Sequence, residues 1–371
     1  MSVFGERSRK SPQARLDKLT HIGEGLRIFS RRLKVARQGL PRYEGDAKSI
    51  CQQIVERCWN GSFFMTSAGH FSEFWTRDFG LCTDALLELG HKDRVRASLE
   101  YALEIFSRQG RITTTISPSG RAFDFPCYAP DSLAFLLRSL KALGDDDLVG
   151  KHKEFLQGEV NKFCSLVLDK KGRVSVDRSF SSISDHWRLR ASCYDTCMTG
   201  MIKERCEDLG LEFSRDTDYT KLLHDRYWTG KHFISDLKYR KLTGEANVFP
   251  AWCGLSDKPT VRVIKEEGLD RPLPLRYFKD KGPGQNIYSL LTPGYESSDN
   301  IWLHLGMAYL NIVPDALLKG YIGILTGFIE HHKNFLEVVD EKLEPYRSLL
   351  YMSDDSMLWA ANYLKSIGRL S

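Results

Sequence analysis

FSEFWTRDFG, residues 71–80, runs directly into LCTDALLELGH, residues 81–91. The second part continues a helical spacing of Phe79, Leu81, Ala85, Leu86 and Leu89, and Gly90 can stop that helix. The first part sets Trp75, Arg77 and Asp78 close together at its start. Trp supplies a flat apolar face, Arg a rigid fork of donors and Asp a pair of acceptors. At the mouth of a pocket the three suit a small molecule covered in hydroxyls. On a surface, Asp78 is an ordinary helix cap, which Asp favours by about 1 kcal/mol.

The plan recurs along the chain. VRASLEYALEIFSRQG (95–110) completes a helical hairpin. DSLAFLLRSLKALG (131–144) pairs with DLVGKHKEFLQGEVNKFCSLVL (147–168), and YDTCMTGMIKERCEDLG (194–210) with DYTKLLHDRYW (218–228). DNIWLHLGMAYL (299–310) pairs with DALLKGYIGILTGFIEHHKNF (315–335). Residues 14–36 and 46–59 also read as helices, and SDDSMLWAANYLKSIG (353–368) closes the chain. Long loops at 111–130, 170–192, 229–255, 270–298 and 337–353 separate the hairpins. Several helices open with Asp and soon add an aromatic: Asp78 with Phe79, Asp131 with Phe135, Asp299 with Trp302, Asp354 or Asp355 with Trp359. Helices that alternate up and down gather these acidic starts on one face. The pattern predicts an all-α toroid of about a dozen helices around an acidic, aromatic-lined pocket. Clustered carboxylates and aromatic faces suit sugar binding and glycosidic cleavage.

Composition sets the frame. At 371 residues, 42% hydrophobic and 27% charged, the chain has the make-up of a globular protein with a sizeable core. It has no run of 18 apolar residues, so no membrane partner is expected. No apolar leader opens it, and its nine cysteines read as reduced thiols of a cytoplasmic protein. The net charge of +5 is uneven: residues 1–48 hold twelve Lys/Arg against five Asp/Glu, so the remainder is slightly acidic. The basic helix LRIFSRRLKVAR (26–37) reads as an arm packed on the body through Leu26, Phe29, Leu33 and Val35, with no nucleic-acid partner. GxxxxGK[ST], GxGxxG and GxSxG are all absent, and GPGQN (282–286) reads as a turn rather than a phosphate cradle. Cys193, Cys197 and Cys206 have no His at finger-like spacing, so neither metal nor cofactor is expected.

These segments resemble the six-hairpin glycosidases: glucoamylases, trehalases, processing α-glucosidases and neutral invertases. FWTRDFG is similar to their WxRD segment, and APDSLAFLLRSL (129–140) to a PVDSGLW-type helix start. SISDHWRLRASCYDTCMTGMIKERCEDLG (182–210) resembles the stretch that holds their general acid. GEANVFPAWCGL (244–255) and TPGYESSDNIWLHLGMAYL (292–310) resemble two further loops, and NFLEVVD (334–340) the segment of the general base. The resemblance implies an (α/α)6 barrel, placed at residues 46–371 after the basic helical arm that charge and pattern give at 1–45. It implies an inverting hydrolase of a carbohydrate substrate, with Asp185 as acid and Glu337 as base. It assigns Trp75, Arg77, Asp78, Asp131, Trp187, Arg188, Glu296, Trp302 and Trp359 to substrate binding. Trp187 would desolvate Asp185, and Arg188 would oppose that. The Glu337 segment departs from the pattern in lacking a Gly and a second Tyr. Asp131 and Glu296 therefore stand as competing carboxylates. Two other readings stay open: a sugar-binding toroid without hydrolysis, and a lyase or epimerase using Tyr128, Tyr295, His186 or Arg188.

Overall fold

The computed structural model describes residues 12–279 and 288–370. The first eleven residues of the arm and the turn expected at GPGQN lie outside them. Fifteen helices and five two-residue strands are found among the described residues.

Six helices form a closed inner ring: α3 (Thr76–Glu88), α5 (Pro130–Leu143), α8 (Cys193–Asp208), α10 (Gly244–Trp252), α13 (Leu303–Leu310) and α15 (Ala360–Gly368). Each packs on the next, and α15 returns to α3. A second set surrounds them: α2 (Ala47–Cys58), α4 (Lys92–Gln109), α7 (Lys153–Val167), α9 (Tyr219–Tyr227), α11 (Thr260–Glu266) and α14 (Asp315–His332). The fold is an (α/α)6 barrel. Sequence pattern explains which helix goes where. Every residue of LHLGMAYL in α13 is buried, so that helix has no solvent face. In α4 the buried positions are Val95, Ser98, Leu99, Ala102, Leu103, Ile105 and Phe106, a stripe on one side of an outer helix.

Two elements of the barrel depart from the sequence reading. Residues 229–255 read as loop in the sequence, yet they contain the inner helix α10, and α11 follows. Pro250 lies inside α10, and nine residues carry too little periodicity to announce a helix. The stretch 147–168 is two helices, α6 (Asp146–Lys151) and α7.

The acidic helix starts also need correction. Asp78 and Asp131 sit inside the first turn, and the capping positions are Trp75 and Ala129. Asp299 is exposed and precedes α13 by four residues, while Asp354 and Asp355 lie in the loop before α15. Short strands, not caps, anchor two of these helices. β1 (Phe74–Trp75) pairs with β2 (Thr115–Ile116), which pairs in turn with β3 (Ala122–Phe123). β4 (Ile301–Trp302) pairs with β5 (Val338–Val339). Both tryptophans are therefore fixed immediately before their helices.

Helix α1 (Pro12–Gln38) docks differently from the expectation. Val35 is buried and Phe29 half-buried, but Leu26 is 63% and Leu33 40% exposed. Polar groups add to the apolar contacts of Ile28 and Val35 in holding the helix. Arg27 binds the His70 carbonyl, Ser72 and Glu73; Arg31 pairs with Asp355; Arg32 donates to the Ser348 carbonyl.

Close approach of the inner helices depends on glycine. A Cβ on Gly80 in α3 would lie 2.5 Å from the Phe135 Cβ in α5. Gly80→Ala is expected to destabilise the fold by about 1–3 kcal/mol, the usual size of an overpacking penalty. Urea unfolding of the two proteins checks this.

Candidate active site

The inner helices begin at one end of the barrel, and side chains in their first turns touch. Trp359, just before α15, donates to the Asp78 carboxylate in α3 at 3.1 Å. Arg77 reaches Asp131 in α5 at 3.3 Å and the Ser182 carbonyl at 2.8 Å. Tyr194 in α8 donates to the same Asp131 oxygen at 2.9 Å. Above these contacts lies a small, narrow pocket.

Eight of the sequence-predicted residues line it: Trp75, Arg77, Asp78, Asp185, Glu296, Trp302, Glu337 and Trp359. Three do not. Asp131 is buried behind Arg77 and serves as its counter-charge. Trp187 packs on Phe278 with ring centroids 4.7 Å apart, away from the pocket lining. Arg188 is exposed.

The carboxylates differ in their partners. Glu296 accepts the backbone N–H of Asp185 at 2.6 Å and of His186 at 3.0 Å, so it shapes the loop that presents Asp185. Glu337 accepts from the Tyr295 hydroxyl, from the Tyr351 hydroxyl at 2.6 Å and from the Asp354 N–H at 2.8 Å. Burial is the largest influence on all of them. It raises Asp185, with Arg77 pulling the other way and Asp131 and Asp78 adding to the rise. It raises Glu296 well above the usual carboxylate range, reinforced by Asp185. It pushes Glu337 up to about 8 despite the three donors.

The pocket contains residues the sequence reading did not single out. His304 lies on the wall between Trp302 and Trp359. The Tyr277 hydroxyl donates to the Ile183 carbonyl at 2.8 Å, so it must accept from His304 Nε2 at 2.9 Å. Burial keeps this imidazole neutral, which leaves Nδ1 as an acceptor. His304 Nδ1, Trp75 Nε1, Trp302 Nε1 and Arg77 Nε are buried without a hydrogen-bond partner. Groups of this kind normally find partners, and here they belong to side chains around one cavity. His304 follows Trp302 by two residues in NIWLHLG, the one sequence signal that pointed toward it. Tyr351 carries no local signal, because its role comes from a contact with Glu337 across a loop. Among the described residues, no group of three or more His, Cys, Asp or Glu is arranged to hold a metal ion.

No protein-family model matches the sequence, and no curated protein matches it. Solved structures do. A glycosidase in complex with glucose superposes with a TM-score of 0.60 at 10% identity, over 87% of this chain and 95% of its own. A mannosylglycerate hydrolase from Thermus thermophilus, in complex with Tris, gives 0.55 at 10% identity, over 87% and 100%. A bacterial glucoamylase complexed with acarbose gives 0.55 at 13% identity, over 87% of this chain and 55% of the larger enzyme. At such identities the likeness concerns the fold, and it places this chain among (α/α)6 barrels.

The Arg77 cluster is expected to be a large single contributor to stability. Arg77→Ala leaves Asp131 buried without its cation, a change of about 3–5 kcal/mol for a broken buried pair. Adding Asp131→Asn to it should recover part of the loss. Denaturant unfolding of the single and double variants at pH 7 measures both effects.

Proposed function

We propose that the protein is an inverting, exo-acting glycoside hydrolase that removes a terminal neutral sugar, an α-glucoside or small oligosaccharide. The observation that carries this reading is the convergence of Asp185 and Glu337 on one small pocket. Its walls offer aromatic faces, unsatisfied N–H groups and carboxylates. A sugar ring has apolar C–H faces and hydroxyls that both donate and accept, so it complements all three. Arg77, the one Arg among the described residues that line it, is already matched by Asp78 and Asp131, which argues against a negatively charged sugar. That glycosidases share the fold supports the same reading.

In this mechanism Asp185 protonates the glycosidic oxygen as the bond to the anomeric carbon breaks. Glu337 takes a proton from a water that attacks that carbon from the opposite face. A carboxylate has about four acceptor positions, and Glu337 has committed three. The fourth is available to the water. Glu296 serves by fixing the backbone of Asp185, and Asp78 is tied to Trp359 and Arg77 while facing the sugar.

The rate depends on the state with Glu337 ionised and Asp185 protonated. It rises as Glu337 loses its proton and falls as Asp185 loses its own. Burial lifts Asp185 to about 7 and Glu337 to about 8, so the productive state is a minor form whose population peaks between the two values. The optimum should therefore lie at roughly pH 7–8 rather than between 4 and 5. Asp185→Asn should cut turnover by about 10²–10⁴ and abolish the falling limb; Glu337→Gln should do the same to the rising limb. The experiment is a panel of 4-nitrophenyl glycosides and disaccharides, with NMR detection of the first-formed anomer. Net inversion and pocket-dependent hydrolysis are expected. Retention of configuration, or no hydrolysis of any member, would refute the proposal.

A further inference from the structure

Helix α1 lies against the loops that carry the pocket rim, and its contacts there are specific. Arg31 Nη2 sits 2.8 Å from Asp355 Oδ2, whose side chain is almost fully buried. Asp355 Oδ1 accepts from Ser356 at 2.8 Å. Ser356 is held in the left-handed region at φ 57°, a conformation that a non-glycine residue keeps only when its surroundings enforce it. Tyr43, on the segment after α1, adds a second hold at 2.9 Å through the Ser356 hydroxyl. The residue before Asp355 is Asp354, whose N–H donates to Glu337. The Asp354 carboxylate is gripped in turn by Ser67 and by the N–H groups of His70 and Phe71. Arg27 ties down that second loop through the His70 carbonyl and Glu73.

We infer that Arg31 is a positioning residue for Glu337: through Asp355 it fixes the 354–356 turn and so aims the Asp354 N–H at the carboxylate. The inference rests on Glu337 being the general base. No sequence motif marks Arg31, which is one of several arginines on a basic helix. Its partner Asp355 lies 324 residues away.

The groups that face Glu337 set the expected direction of change. On one side are Tyr295 and Tyr351, with His70 behind Tyr351 at 3.0 Å. On another are Asp354 and, beyond it, Asp355 with Arg31. Asp185, Glu296, Asp78 and Arg77 line the same pocket. Removing the Arg31 guanidinium strips Asp355 of its counter-ion. The added negative potential favours the protonated form of Glu337, so the rising limb of the pH profile moves to higher pH.

The test uses the full chain and the 4-nitrophenyl glycoside that the panel shows to be hydrolysed fastest. Arg31→Ala should lower kcat by about 10–100-fold, the effect of misplacing a catalytic group from a distance, with a smaller change in KM. The rising limb should shift upward. Arg31→Lys retains the charge and should restore the limb while recovering only part of kcat. Arg32→Ala removes a helix contact that does not touch Asp355 and should leave the limb in place, even if it lowers Tm. An Arg31→Ala enzyme whose limb is unmoved, or moves no more than that of Arg32→Ala, would overturn the inference while leaving the base assignment standing. If Glu337→Gln hydrolyses normally, the base assignment fails first and the inference falls with it.

Discussion

A buried guanidinium organises the centre of this barrel. Arg77 lies between Asp78 on its own helix and Asp131 on the next, and donates to the Ser182 carbonyl in the loop before α8. Asp131 also accepts from Tyr194 in α8. Three successive inner helices are thus tied at one end by one cation and its acceptors. Charges this deep are tolerated only when matched, so the arrangement resists drift in any member. Asp78 extends the tie to α15 through Trp359.

This locking lets the loops above the ring specialise. Phe74–Trp75 leads into α3 as a two-residue strand, and Ile301–Trp302 leads into α13 the same way. Trp75 and Trp302 are fixed by backbone pairing and by ring contacts, Trp75 with Phe71 and Phe125 and Trp302 with Tyr277, Tyr295 and His304. Glu337 immediately precedes the strand that pairs with Ile301–Trp302, and the Leu303 N–H donates to its carbonyl at 3.2 Å. The carboxyl proposed as base and an aromatic wall of the pocket therefore belong to one rigid unit. Asp185 has no strand to hold it. Glu296 does the equivalent work by accepting two consecutive backbone N–H groups.

Carboxylates in the pocket are pulled in two directions. Burial disfavours their charged forms, while Arg77 and hydrogen-bond donors favour them. Each has a distinct set of partners, so they do not behave as equivalent acids. All four line the pocket and all four are raised by burial, but Asp78 is held by Trp359 and Arg77, Glu296 by the N–H groups of Asp185 and His186, and Glu337 by two tyrosines and the Asp354 N–H. Division of labour among similar side chains arises from their neighbours, not from their chemistry.

The sequence by itself determined the class of fold and the ends of most helices. Hydrophobic periodicity is local, and segments such as VRASLEYALEIFSRQG announce their buried face within two turns. WTRD stood out because Trp75, Arg77 and Asp78 are close together along the chain, whereas ISD and FLEVVD were marked only by resemblance to the six-hairpin glycosidases. The inner helix α10 escaped because it is short, buried all round and interrupted by Pro250. Whether Asp78 and Asp131 cap their helices or pair with a cation could not be read locally, because capping and ion pairing select the same residue type. Only the tertiary structure decided that Asp131 stands behind Arg77, that Trp187 turns to Phe278, and that His304 and Tyr351 join the site. It also turned α1 so that its arginines, not its leucines, meet the barrel. Those outcomes depend on which side chains meet across hundreds of residues. Spacing along one segment carries no record of the partner that burial will supply.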